Sequence, residues 1–192
     1  MVVTAMDRAP LIQVFRKLPT PIGVLGALAQ ARRVDAGLQA SLVSLKAPSE
    51  SAPAIRPASA GIGTSSEVDE NLIKACEGLL DQTSEQLREY FGRMRRGFEL
   101  PIAPHGTVFE LQVWRSLSQI GYGETWSYSR LAEAIGVPDG PRAVGAALGK
   151  NPLWIVVPCH RVVGKSGKLV GFAGGLDSKR FLIELETDRH SG

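Results

Sequence analysis

Between Ser66 and Gly92, Leu72, Cys76, Leu79, Leu80, Leu87 and Phe91 recur at the spacing of one helix face. A helix that long, apolar on one side, has to be seated on another layer of structure. The residues before it supply a candidate layer. Ile12 to Leu18, Val24 to Ala29 and Leu38 to Leu45 are β-compatible, are separated by Pro19-Thr20-Pro21 and by Arg32-Arg33-Val34-Asp35, and read as a small antiparallel meander. From Ala47 to Ser65 the chain turns to Pro, Ser, Ala and Gly, which bury too little apolar area to order themselves, so 47–65 is expected to be a flexible loop. Gly78 weakens the helix without abolishing it. Cys76, on the apolar stripe, reads as a small core residue.

A second unit follows Pro101 to Gly106. Thr107 and Glu110 are spaced as a capping box, and the helix they open is expected to reach Ile120 with Phe109, Val113, Leu117 and Ile120 facing inward. Gly121-Tyr122-Gly123 ends it. Trp126-Ser127-Tyr128 leads into a helix through Leu131, Ala132 and Ile135, and another opens with Pro141 and runs to about Leu148. The last helix is expected over Ser178 to Asp188, with Phe181, Leu182 and Leu185 apolar. The expected class is α+β. Residues 10–98 form a small N-terminal antiparallel sheet with a helix, and residues 99–192 a mainly helical C-terminal domain with a winged helix-turn-helix.

At 44% hydrophobic, the 192 residues can bury a real core, yet no apolar run approaches the roughly 20 residues of a membrane span. Two cysteines and a start without a signal-like segment point to a reducing, cytoplasmic setting. The net charge of +3 decides nothing alone. Its distribution says more: Arg142, Lys150, Arg161, Lys165, Lys168, Lys179 and Arg180 crowd into residues 140–180, opposed only by Asp177. The helix pair around Gly136 to Gly140 fits a helix-turn-helix, but Arg142 to Gly149 lacks the long polar side chains of major-groove readers. Such a helix suits close approach to a minor groove, with Arg142 entering the base stack. It equally suits tight packing of one helix on another.

The segment Ile155-Val156-Val157 reads as a buried strand and ends in Pro158-Cys159-His160-Arg161. Only a thiolate attacks, so a working Cys159 needs a cation or base nearby, and His160 is the candidate, through a bridging water if the two side chains diverge. The base in turn needs an orienting carboxylate, for which Glu184 and Glu186 are available.

These residues resemble the O6-alkylguanine-DNA alkyltransferases, or methylated-DNA-protein-cysteine methyltransferases, whose signature is an apolar run followed by Pro-Cys-His-Arg-Val, here Ile155 to Val162. The likeness extends through Tyr122 to Tyr128, Arg142-Ala-Val-Gly, Asn151-Pro152, Gly174-Gly175-Leu176 and Glu186. The resemblance implies that Cys159 accepts the alkyl group, with His160 and Glu186 as a water-linked relay, Asn151 as a hinge and Tyr128 assisting rotation of the 3′ phosphate. It implies DNA contacts by Arg142, Tyr128, Ala143, Gly145, Ala146, Lys150 and Arg161. The implied pocket is Val162, Trp154, Phe172 and Ala173, with the carbonyls of Cys159 and Val162 receiving the base. The implied substrate is duplex DNA carrying O6-alkylguanine or O4-alkylthymine, and the implied protein is a monomer that can bind cooperatively, acts once and uses no cofactor. Three histidines, His105, His160 and His190, beside a lone Cys76 give no expected zinc site. An alkyltransferase-like protein that only binds lesions would lack a cysteine at position 159. A Cys-His hydrolase would bring its base from a distant segment. A fused transcription regulator would carry an extra domain.

Overall fold

The computed structural model describes residues 11–35, 37–47, 55–58 and 66–187. Strands β1 (Leu11–Thr20), β2 (Gly23–Val34) and β3 (Gly37–Lys46) form the expected meander, each running further than its apolar core. Thr20 pairs with Gly23 across the first turn, where Gly23 at φ 101° takes a conformation that a side chain would strain. Leu25, Ala27, Ala29 and Ala31 alternate along β2 as its buried face. The small size of the three alanines lets α1 (Ser66–Phe91) lie close across the sheet on Leu72, Cys76, Leu80 and Leu87. Cys76 is fully buried there, its sulfur 3.9 Å from the Ile12 carbonyl.

The expected loop over 47–65 needs correction. Ile55–Ala58 forms a fourth strand, β4, antiparallel to β1, giving the order β3-β2-β1-β4. The open edge of β1 offers unpaired backbone groups, and Pro57 is tolerated because an edge strand need not donate every N–H. Residues 48–54 and 59–65 lie outside the described residues, as do Met1 to Ala9, Asp188 and His190.

The other edge is covered as well. Leu42 and Leu45 of β3 make isolated parallel bridges to Ile102 and Leu153, with Leu42 N–H to the Pro101 carbonyl at 2.8 Å and Leu45 N–H to the Pro152 carbonyl at 2.7 Å. Both contacts belong to the second unit. One continuous apolar cluster accordingly runs from Ile12 in the sheet to Leu185 in the last helix.

In the second unit, α2 (Val108–Ser116) starts with the expected capping box: Glu110 N–H donates to Thr107 Oγ1 at 3.2 Å and Thr107 N–H to Glu110 Oε2 at 2.9 Å. The helix tightens into a 3₁₀ turn at Leu117–Gln119 before Ile120. A two-residue β5 (Trp126–Ser127) precedes α3 (Tyr128–Ala134), capped by Ser127, and α4 (Pro141–Gly149) follows. β6 (Val162–Val163) pairs with β5 in parallel. In the last helix, α5 (Leu176–Thr187), Leu182 and Leu185 are buried, but Phe181 faces outward.

A second correction concerns Ile155 to Val157, which form no strand. Val156 N–H returns to the Trp154 carbonyl and Val157 N–H to the Leu153 carbonyl, with Ile155 at φ 72°. Contact with the sheet stops at Trp154, whose N–H donates to the Leu45 carbonyl at 2.8 Å, so the apolar run beyond it fills the core as a coiled turn, its backbone bonds satisfied locally. No helix among the described residues is long and apolar enough to cross a membrane.

Candidate active site

Pro158 ends the apolar turn, and Cys159–Arg161 close one 3₁₀ turn before β6, so three successive side chains fan out in different directions. Cys159 faces Asn151, whose Nδ2 donates to the Cys159 sulfur at 3.0 Å and to the Val157 carbonyl at 2.8 Å. Asn151 Oδ1 accepts from Leu153 N–H at 3.0 Å. One amide therefore joins the end of α4 to both ends of the apolar turn and to the sulfur that follows it.

His160 turns the other way. Its Nε2 lies 2.9 Å from Glu186 Oε1, while Nδ1 is buried with no protein partner. The imidazole makes no direct bond with the thiol. Glu186, on α5, also accepts from Arg161 Nε at 2.9 Å and Nη2 at 3.0 Å, from Tyr90 Oη at 2.6 Å and from Gly123 N–H at 3.3 Å. Gly123 is close enough that a Cβ would lie 2.8 Å from the Glu186 carbonyl oxygen. Glu184, the other candidate carboxylate, is exposed.

The charges follow from this packing. Burial alone would raise the Glu186 carboxyl, but the bonds and charges of His160 and Arg161 outweigh it and hold it at about 2. A carboxylate so stabilised stays ionised and fixes the hydrogen on Nε2, leaving Nδ1 as the basic atom. Burial pushes the imidazole below its ordinary value, against the pull of Glu186. Burial pushes the Cys159 thiol up to about 11, only partly offset by Asn151 and by the charge of Lys179. Burial thus disfavours both the thiolate and the imidazolium in the free protein, the opposite of the standing thiolate that a cation-activated cysteine would show.

Two cations of the basic segment are structural. Arg161, expected at the DNA, is buried, with both ends of its guanidinium committed to Glu186 and Nη1 to the Ile120 carbonyl at 2.7 Å. A buried carboxylate needs that partner more than a phosphate does. Lys179 is fully buried, its Nζ bonded to the carbonyls of Val162 at 2.6 Å, Val170 at 2.7 Å and Gly171 at 3.0 Å, and burial lowers it to about 8. The local basic count therefore overstated the surface charge. Lys150 reaches solvent but pairs with Glu110 at 2.6 Å.

The remaining expected residues divide between an open face and a wall. Arg142, Ala143 and Ala146 are exposed along α4 with Gly145 partly so, while Val144, Ala147 and Leu148 pack inward. The half-buried Tyr128 lies against Gly145, where a Cβ would sit 3.5 Å from its ring, and its hydroxyl donates to the Val170 carbonyl at 3.0 Å. Trp154 is buried with Phe172 5.4 Å away, ring centre to ring centre, and Gly174 fits so closely between them that a Cβ would meet both at 2.7–2.8 Å. Ala173 is exposed beside them. The carbonyls of Cys159 and Val162 each already accept one bond, from Val162 N–H and from Lys179. Tyr90 was not foreseen. The available signal was a tyrosine on the apolar stripe of α1, since a buried phenol must find a partner.

Residues 108–188 match the family model described as the 6-O-methylguanine DNA methyltransferase DNA-binding domain. A methylated-DNA–protein-cysteine methyltransferase of Methanosarcina acetivorans is 48% identical over 110 residues, covering 57% of this chain and 70% of that protein. One from Mycolicibacterium paratuberculosis is 53% identical over 107 residues, 56% of this chain and 64% of the relative. The crystal structure of Mycobacterium tuberculosis O6-methylguanine methyltransferase superposes with a TM-score of 0.68 at 35% identity, over 93% of this chain and 94% of that one. The M. tuberculosis OGT in complex with DNA gives 0.67 at 35% identity, over 90% and 92%. The similarity spans both units, and the chain belongs to the methylated-DNA–protein-cysteine methyltransferase family.

Proposed function

We propose that this protein repairs duplex DNA carrying O6-alkylguanine, and O4-alkylthymine, by moving the alkyl group irreversibly onto Cys159. The observation that carries the reading is a buried cysteine held by Asn151, next in sequence to a histidine whose second nitrogen is fixed by a buried carboxylate. In this reading the open face of α4, with Ala143, Gly145 and Ala146, approaches the minor groove, and Arg142 occupies the gap left by the flipped base. Tyr128 assists rotation of the 3′ phosphate. The base enters between Tyr128 and the wall of Trp154, Phe172 and Ala173, reaching the free lone pairs of the Cys159 and Val162 carbonyls. Exposed Lys150 contributes charge near the backbone.

The thiol proton passes through a water to His160 Nδ1, and the imidazolium is stabilised by Glu186. The sulfur attacks the alkyl carbon in line, so that a C–S bond forms as the C–O6 bond breaks. The departing guanine takes a proton from Tyr128, which recovers one from solvent. A thioether resists hydrolysis, so each monomer acts once and needs no cofactor. The raised proton affinity of Cys159 fits this order of events, because activation then accompanies substrate. A lesion-binding role alone would leave the cysteine unexplained. In the test, the protein is incubated with a duplex containing O6-methylguanine: the Cys159 peptide gains one methyl group at a stoichiometry not exceeding one. Multiple turnovers, or a methyl group on Cys76 instead, would overturn the proposal.

A further inference from the structure

The relay carboxylate is held from two units of the fold. Three donors converge on Glu186 Oε1: His160 Nε2 at 2.9 Å, Arg161 Nη2 at 3.0 Å and Tyr90 Oη at 2.6 Å. The first two come from the cysteine turn itself. Tyr90 comes from α1, 96 residues earlier in the chain and outside the segment that the family model matches. It is fully buried, and its ring is fixed by Phe98 at 5.3 Å, Phe91 at 5.4 Å and Tyr122 at 6.2 Å. A phenol with no freedom to turn, bonded to the oxygen that also orients the imidazole, sets both where that oxygen sits and how much negative charge it presents.

We propose that Tyr90 is a positioning residue for alkyl transfer: by donating to the Glu186 oxygen that it shares with His160, it tunes the basicity of His160 and makes the N-terminal unit part of the reacting assembly. The inference rests on the relay reading of His160 and Glu186. Burial and the neighbouring carboxylate both raise the phenol's own pKa, so Tyr90 remains a donor across the working range. Other charged and titratable groups facing this network are Arg161 and Lys179, which oppose protonation of His160, and Tyr122, which feels Glu186 and is itself near Arg93 and Arg96. Tyr90→Phe removes none of these groups. Without the phenol's bond, Glu186 concentrates its charge on the remaining donors and favours the imidazolium.

The test compares the wild-type protein with Tyr90→Phe, which keeps the ring and removes only the hydroxyl, and with 3-fluorotyrosine placed at position 90, a more acidic and stronger donor. Two readouts are followed: the titration midpoint of His160 by NMR, and the acid limb of the rate–pH profile for methyl transfer from a lesion duplex. Tyr90→Phe is expected to move both midpoints upward by about half a unit to one unit, and fluorotyrosine to move them downward. Should Tyr90→Phe fail to fold, the fluorotyrosine protein alone decides the sign. Midpoints unmoved in the fluorotyrosine protein, with transfer to Cys159 normal, would overturn the role of Tyr90 and leave the relay standing. A wild-type protein that gains no methyl group on Cys159 would instead overturn the relay, and Tyr90's role with it.

Discussion

Asn151 Nδ2 donates to the sulfur of Cys159 at 3.0 Å while the same amide's oxygen receives Leu153 N–H. The donor end favours the thiolate and the acceptor end holds the turn that carries it. Asn151→Ala is expected to slow methyl transfer at neutral pH about tenfold, a loss of roughly 1.4 kcal/mol in stabilising the ionised sulfur. Single-turnover kinetics with saturating lesion duplex check this. An unchanged rate would show that the amide serves only the turn.

Arg161 and Arg142 are predicted to behave oppositely although both belong to the basic segment. Arg161→Met leaves the Glu186 charge buried without its principal partner and should cost about 3–5 kcal/mol of stability in guanidinium unfolding. Adding Glu186→Leu should restore much of that loss. Arg142→Ala, at an exposed position, should change stability by less than about 0.5 kcal/mol, and should slow repair of duplex more than reaction with free O6-alkylguanine base.

Acid should weaken the fold through Glu186. Its carboxyl ordinarily titrates at 4.5 and is held at about 2 in the folded chain, so the unfolded state binds the proton first as pH falls. The stabilisation is complete above pH 4.5 and is lost between there and about 2, to the order of 3 kcal/mol. Unfolding free energies measured from pH 6 to pH 3 should decline steeply in the wild type and less steeply in Glu186→Gln.

Both thiols should be slow towards small alkylating reagents in the free protein. Burial raises Cys76 and Cys159 alike to about 11 from 9.0, which cuts the thiolate fraction at neutral pH about 100-fold. Iodoacetamide labelling followed by peptide mass analysis should therefore lag far behind a free cysteine control. Rapid labelling of Cys159 at pH 7 would show a standing thiolate, and with it a different activation.

The meander and the helices were legible because their signals are local: alternation along β2, the stripe on α1, Thr107 three residues before Glu110. The fourth strand was not, because Ile55–Ala58 owes its conformation to the free edge of β1 and not to its own residues. Ile155 to Val157 misled for the complementary reason, since an apolar run records burial without recording whether the backbone is extended. At the site, Cys159, His160 and Glu186 could be named from the chain as the candidates for chemistry. Their electrostatics could not: formal charge counted Arg161 and Lys179 alike into the basic segment, and only packing shows that one neutralises a carboxylate and the other ties three carbonyls together.

The covered edge of β3 bears on how this protein can be dissected. Segments 101–103 and 152–154 occupy backbone groups of Leu42 and Leu45 that would otherwise face solvent as a ready template for another chain. An isolated 11–98 fragment would bare that strip together with the apolar side chains beneath it, and its copies would zip onto one another. Truncation would thus yield a self-adhesive module, so shortened versions for biophysical work should retain both covering segments.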